Sequence, residues 1–246
     1  MQALTSCLDL NTCFGVKLQL DLMLASSKRQ GLYEIVFGLM TNMQRMVVLV
    51  HFKALMGTSS DHQMLAKRVI SDIDDTVFPS FKDFRGFAAG LPYPGVKSFL
   101  QALSPHTVTF VTARPPFLMS TTRTELNKIG FETNLVLMGT HTSALSGNLL
   151  SQKLKQVREM KLLWPECELI LVGDNGQRDI DLGIILQREG LVSQVFIHDI
   201  YREAQCLIPP KLDETGTLRR SSTRLGFREQ DGLCQGVCSK WSTIFT

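Results

Sequence analysis

Through the middle of the chain, short apolar runs of β-favouring residues alternate with stretches whose apolar positions recur every three or four residues. The runs at 68–73, 107–112, 134–138, 169–173 and 194–198 read as strands, and 95–103, 117–129, 153–163 and 181–188 as helices between them. Runs that are apolar throughout suit strands buried on both faces, and the alternation implies a parallel sheet with helices on each side. The predicted fold class is α/β: a three-layer, Rossmann-like parallel sheet of about five strands. Pro115 and Pro116 suit a first helical turn, where the missing N–H would have been unpaired anyway, and Gly130 follows the last periodic residue as a stop.

Upstream, Leu32, Ile35, Val36, Leu39, Met40, Met43, Met46, Val47 and Val50 form a stripe opposite Glu34, Asn42, Gln44, Arg45 and Lys53, which predicts one amphipathic helix over 32–56. Its charges and narrow stripe exclude a membrane span, which needs about 20 predominantly apolar residues. The Met-rich face packs on the domain that follows or, alternatively, lies on a bilayer or a partner. Residues 1–30 show no sustained period and stay unassigned. The apolar run at 18–25 is broken by Asp21 and has no base before Lys17, which argues against a signal peptide. The chain thus divides into an N-terminal region over 1–60, a linker at 57–61, an organised domain over 65–205, and a tail or edge-strand extension over 207–246.

Composition narrows the functional classes. With 44% hydrophobic and 20% charged residues, 246 residues can bury one substantial core with appendages. A formal charge of +3, without aromatics interleaved among basic residues, gives no nucleic-acid surface. The six cysteines contain no CxxC pair, so neither a zinc site nor a disulfide framework is indicated, and reduced thiols in a cytoplasmic protein are expected.

The chemistry concentrates at strand ends. Val69-Ile70-Ser71-Asp72-Ile73-Asp74-Asp75-Thr76 carries an apolar strand into three acids and a hydroxyl. Like charges there call for a cation or a chemical use. Ligands of parallel sheets bind beyond the carboxyl ends of the strands, where Thr112, Ala113, Arg114 and then Gly173, Asp174, Asn175, Gly176, Gln177, Arg178 and Asp179 also fall. If the first strand lies between the second and fourth, Asp72, Thr112 and Asp174 converge. Such oxygens suit Mg²⁺, with Asp72 and Asp174 as ligands and Asp179 close or acting through water. Thr112, Lys153 and, as an extra anion contact, Arg114 offer donors for a phosphate.

Asp72-Ile73-Asp74-Asp75-Thr76, Thr112, Lys153 and Gly173-Asp174 with Asp179 resemble, in order, the four motifs of the haloacid dehalogenase superfamily. More narrowly, 71–76, Thr112-Ala113-Arg114-Pro115, Trp164-Pro165 and 171–179 are similar to the catalytic domain of actin-patch-type phosphatidate phosphatases. The resemblance spans about residues 65–205, and spacing to Trp164-Pro165 selects Lys153 over Lys155. It implies Asp72 as nucleophile, Asp74 as acid and base, and Thr112 and Lys153 on the phosphoryl oxygens. It also implies Mg²⁺ held by Asp72, the Asp74 carbonyl and Asp174, with Asp179 supporting. Asp75 is assigned no definite role.

Motif spacing leaves room only for a minimal cap, and an open site suits a bulky or membrane-embedded phosphomonoester such as a phosphorylated lipid. The insert 77–93, with Phe78, Phe81, Phe84, Phe87, Leu91 and Tyr93 beside Lys82 and Arg85, is either an interfacial lip with peripheral membrane contact or a flap packed on the core. The expected function is therefore a Mg²⁺-dependent phosphatase acting on phosphatidate or a related lipid phosphate. The alternatives are a phosphoprotein or soluble-ester phosphatase, and a catalytically silent interaction module.

Overall fold

The structure, a computed structural model, describes residues 2–7, 9–26, 31–58, 66–80, 90–103, 108–131, 135–139, 149–176 and 178–200, and the short strands at 211–212, 218–219 and 241–245. In chain order the elements are α1 (Gln2–Thr5), α2 (Leu10–Ser26), α3 (Gly31–Tyr33), a π-helix (Glu34–Leu39), α4 (Asn42–Thr58) and β1 (Ala66–Ser71). There follow α5 (Val96–Leu103), β2 (Val108–Val111), a 3₁₀ turn (Pro116–Leu118), α6 (Met119–Lys128), β3 (Leu135–Leu137) and α7 (Leu149–Leu163). The last are β4 (Cys167–Asp174), α8 (Asp179–Arg188), β5 (Gln194–His198), β6 (Lys211–Leu212), β7 (Leu218–Arg219) and β8 (Trp241–Phe245).

The main sheet runs β3-β2-β1-β4-β5-β8. Its first five strands are parallel and β8 joins the edge antiparallel to β5, so the expected α/β fold is present and 241–245 does extend it. Strand order reverses at β1, which sits between β2 and β4. Along the strands, alternate residues go to opposite faces. Ile70, Val111, Leu135, Leu137, Leu169, Leu171, Val195 and Ile197 pack with α7, α8 and the N-terminal helices. Val69, Phe110, Val136, Ile170, Val172 and Phe196 pack with α5 and α6. This gives the three layers.

The N-terminal region departs from the sequence reading in two places. Residues 10–26 form a helix where the sequence shows no sustained period, and the single helix expected over 32–56 is interrupted. Met40 is extended, with φ −72° and ψ 142°. Thr41 and Gln44 then open α4 with a reciprocal cap: the Thr41 N–H donates to Gln44 Oε1 (3.0 Å) and the Gln44 N–H to Thr41 Oγ1 (3.3 Å). Arg45 holds the break closed by donating to the carbonyls of Val36 (3.0 Å) and Phe37 (3.1 Å). Of the expected stripe, Leu32 and Val36 are buried in the shared core, whereas Leu39, Met43, Met46, Val47 and Val50 are exposed; α4 packs instead through Val48, Phe52 and Leu55, which lie outside that stripe.

Polar groups inside these helices explain why the pattern of α2 misleads. Lys17 is buried, donating to Glu166 Oε2 (2.8 Å) and the Leu163 carbonyl (2.9 Å), with the Phe52 ring 4.2 Å away. Asp21 pairs with Arg68 of β1 and also accepts the Leu32 N–H (2.8 Å). The Arg68 guanidinium lies 4.1 Å from the Trp164 ring, so two ion pairs close around one indole at the amino ends of β1 and β4.

Asp21→Ala would strand the Arg68 charge and free the Leu32 amide. It is expected to cost about 3–5 kcal/mol, read as a lowered urea midpoint. Asp21→Ala with Arg68→Met should cost less than the sum of the single changes, because no charge is then left unpaired.

Candidate active site

β1 ends in Ser71, so Asp72 to Thr76 emerge at the reversal point between the carboxyl ends of β2 and β4. The Asp72 amide still donates to the Val172 carbonyl (2.9 Å), which keeps the residue in the plane of the sheet. Its side chain follows Ile70 to the α7 face by the two-residue period. There Lys153, inside α7, places Nζ 3.2 Å from Asp72 Oδ1 and 2.7 Å from Asp179 Oδ1. Lys155 stays outside this group, with its side chain 73% exposed beside Glu159.

The third acid arrives by close packing. Gly173 precedes Asp174 at the end of β4, and a Cβ there would sit 2.5 Å from Asp179 Oδ2 and 2.6 Å from Asp179 Cβ. The missing side chain is the room that Asp179 occupies. Asp72, Asp174 and Asp179 are all buried, and each offers an oxygen within 4.8 Å of the others. Against three carboxylates stands, among the described residues, one ammonium, that of Lys153. Asp174 Oδ1 accepts the Gly176 N–H (2.5 Å), but Asp72 Oδ2 and Asp174 Oδ2 have no hydrogen-bond partner among the described residues.

Burial drives the titration of this group. It pushes the Asp72 carboxyl up to about 8, opposed by the Lys153 ammonium and aided by Asp179 and Asp74. Asp174 is raised well above the usual carboxylate range by burial and then by Asp179 and Asp72. Burial works against the Lys153 charge, and Asp179 and Asp72 outweigh it, so the ammonium is held more firmly than usual. Two orphaned buried oxygens beside excess negative charge are the donor set of a hard cation, and these three acids could hold one.

Asp74 lies across the turn, half-buried and outside that cluster. Arg114 grips it: Nε donates to both carboxylate oxygens (3.1 Å each) and Nη2 to Oδ1 (2.7 Å). Nη1 reaches Glu125 (2.5 Å) and Thr122 (3.2 Å) of α6. Thr112 accepts the Arg114 amide (3.1 Å) and directs its own hydroxyl at Asp74 Oδ2 (3.4 Å). All the expected site residues therefore meet at one end of the sheet, with Arg114 engaged on Asp74. Thr122 and Glu125 carry no mark in the sequence beyond their three-residue spacing within the helix expected over 117–129.

Asp75 has a structural task. Its φ of 64° is left-handed, which an Asp tolerates in a tight turn. The carboxylate accepts the Ser80 amide (2.7 Å) and hydroxyl (2.5 Å), and the carbonyl accepts Nδ1–H of buried His198 (2.7 Å). Since a carbonyl can only accept, the histidine proton is on Nδ1. In the following insert, Phe78 and Tyr93 are buried and Leu91 is exposed. Phe81, Lys82, Phe84, Arg85 and Phe87 lie outside the described residues, as does Gln177.

Acids and a buried lysine gather at the reversal point of a parallel sheet, the place where α/β enzymes bind their ligands. The family model for the catalytic domain of the phosphatidate phosphatase APP1 matches residues 67–199, more than half of the chain. The chain belongs to that family, one of phosphoric monoester hydrolases. No curated protein and no solved structure gave a match. Among the described residues, no helix is long and apolar enough to cross a membrane.

Folded Asp72 keeps its proton to about 8, whereas the unfolded chain loses it near 3.8. Its stabilising contribution is whole below the lower value and fades as pH rises toward the upper one. A bound divalent cation displaces that proton, so the rise in melting temperature on adding Mg²⁺ or Ca²⁺ to chelated protein should grow between roughly pH 5 and pH 8. Asp174→Asn should remove most of that rise. A pH-independent rise, or one that Asp174→Asn leaves intact, would speak against a cation among these acids.

Proposed function

We propose that this chain is a Mg²⁺-dependent phosphatase that hydrolyses phosphatidate, or a closely related lipid phosphate, through an aspartyl-phosphate on Asp72. The observation that carries the reading is a buried carboxylate, Asp72, with one oxygen on Lys153 and the other unpartnered, within a chain of the APP1 catalytic-domain family. The order of Asp72, Asp74, Thr112, Lys153, Asp174 and Asp179 supports placing it in the haloacid dehalogenase superfamily. The catalytic unit is residues 65–205, with the N-terminal helices as its cover.

In the first step an Asp72 oxygen bonds to phosphorus while the bond from phosphorus to the glycerol oxygen breaks. Asp74 gives that leaving oxygen its proton, and diacylglycerol departs. In the second step Asp74 takes a proton from water as the water oxygen bonds to phosphorus and the Asp72 ester bond breaks, releasing phosphate. Lys153 and the Thr112 hydroxyl hold phosphoryl oxygens, and the amides after β1 supply further donors. Asp72, the Asp74 carbonyl and Asp174, with Asp179 behind, would hold Mg²⁺, which would supply charge neutralisation and polarisation of the phosphoryl group.

An exposed approach suits an embedded substrate. Leu91 and Phe117, 62% and 72% exposed, stand in the segments that follow β1 and β2. They give the cytoplasmic face of a membrane a peripheral point of contact in this reading. Nucleic acid has no place in it.

Purified protein with Mg²⁺ is expected to release phosphate from phosphatidate in mixed micelles, to stop with chelator, and to lose at least ~10³-fold in turnover as Asp72→Asn. No release from phosphatidate would contradict the lipid assignment. Turnover of soluble phosphomonoesters or phosphopeptides alone would move the substrate to those classes.

A further inference from the structure

Arg114 is expected from sequence as a phosphate contact, yet each nitrogen of its guanidinium meets a protein acceptor. Two nitrogens face the Asp74 carboxylate as a fork, a geometry that fixes the plane of the carboxylate as well as its position. The third turns to Glu125 and Thr122, both on α6. The same arginine is tied through its backbone N–H to the hydroxyl of Thr112, and that hydroxyl also points at Asp74. Asp74 is thus the end of a chain of contacts rooted in a helix, although it sits in the turn after β1 with its side chain 22% exposed.

We propose that Arg114, backed by Glu125, is a positioning residue that aims the Asp74 carboxylate at the leaving and attacking oxygens and makes no contact with phosphate. The inference rests on the assignment of Asp74 as proton donor and acceptor. A carboxylate in a turn has rotamer freedom, and a proton relay works only when its oxygen lies within hydrogen-bond reach of the reacting atom. The fork removes that freedom. Glu125 has a second effect: the group of Asp74, Arg114 and Glu125 holds one positive and two negative side chains, so the arginine's charge is shared rather than spent on Asp74 alone. Lysine cannot replace the device, because a single ammonium cannot face two carboxylate oxygens and hold Glu125 at once.

The leaving group separates this role from phosphate binding. Diacylglycerol leaves as an alkoxide that must be protonated, whereas 4-nitrophenolate is stable enough to leave unprotonated. A mis-aimed Asp74 should therefore slow attack on phosphatidate but spare the first step with 4-nitrophenyl phosphate. The second step, in which Asp74 activates water, slows for both.

Arg114→Gln is expected to lower kcat on phosphatidate roughly 10²–10³-fold with KM changed less than about threefold. With 4-nitrophenyl phosphate, rapid mixing should show a burst of nitrophenolate close to one per site, followed by slow turnover. Inhibition by inorganic phosphate should be unchanged, Arg114→Lys should not rescue, and Glu125→Ala should lower kcat on phosphatidate about tenfold with the burst intact. The proposal is overturned if Arg114→Gln raises KM and the phosphate inhibition constant tenfold or more, on the order expected for a lost anion contact. It is equally overturned if Arg114→Lys restores activity, or if the burst disappears with both esters slowed alike. Should Arg114→Gln fail to fold, as judged by circular dichroism, Glu125→Ala decides by the same burst and KM criteria. A wild-type chain that hydrolyses neither ester would instead remove the phosphatase reading itself.

Discussion

Three buried carboxylates, two of them paired to one buried ammonium, set the terms for this end of the molecule. Removing charge from water is costly, and the interior returns that cost only when the charges balance and their hydrogen bonds are filled. Here they do not balance, and an oxygen on Asp72 and one on Asp174 remain unfilled. The fold nonetheless spends specific features on bringing these acids together: the reversal of strand order at β1, the position of Lys153 inside α7, and a glycine whose absent side chain admits Asp179. An imbalance maintained by that much geometry is compatible with a bound cation.

The amino ends of the same strands show the contrasting case. Lys17 with Glu166 and Asp21 with Arg68 are equally buried, but each charge there has its opposite, and Trp164 fills the space between them. These pairs fasten α2 to the sheet and ask for nothing more. Balanced buried charge at one end of the strands supports the structure, and in the proposed reading the unbalanced buried charge at the other end provides the chemistry.

That difference also governs what could be read from the residues alone. Strand positions were legible within a few residues because a doubly covered parallel sheet needs continuous apolar runs, and the site was legible because its acids follow those runs directly. In α2 the signal was inverted: Lys17 and Asp21 look like solvent-facing breaks, and only their partners 149 and 47 residues away make them interior. The break before α4 had a local mark, Thr41 and Gln44 spaced as a reciprocal cap, masked by an apolar stripe that runs across it. Arg114 was placed at the site by its motif, but its partner was not readable. A guanidinium beside a phosphate site suits an anionic substrate as well as a neighbouring carboxylate, and only the α6 contacts to Thr122 and Glu125 separate the two.

The central claim is that Asp72, whose Oδ1 lies 3.2 Å from Lys153 Nζ, becomes covalently phosphorylated. Rapid quenching of the protein during turnover of phosphatidate with Mg²⁺, followed by borohydride reduction and peptide mass spectrometry, tests it directly, since borohydride converts an acyl phosphate to an alcohol and leaves a free carboxylate unchanged. The account predicts homoserine at position 72, with Asp74, Asp174 and Asp179 intact and no conversion when substrate is omitted. Homoserine at another of these acids, or none after quenching within the first turnovers at saturating phosphatidate, would contradict it.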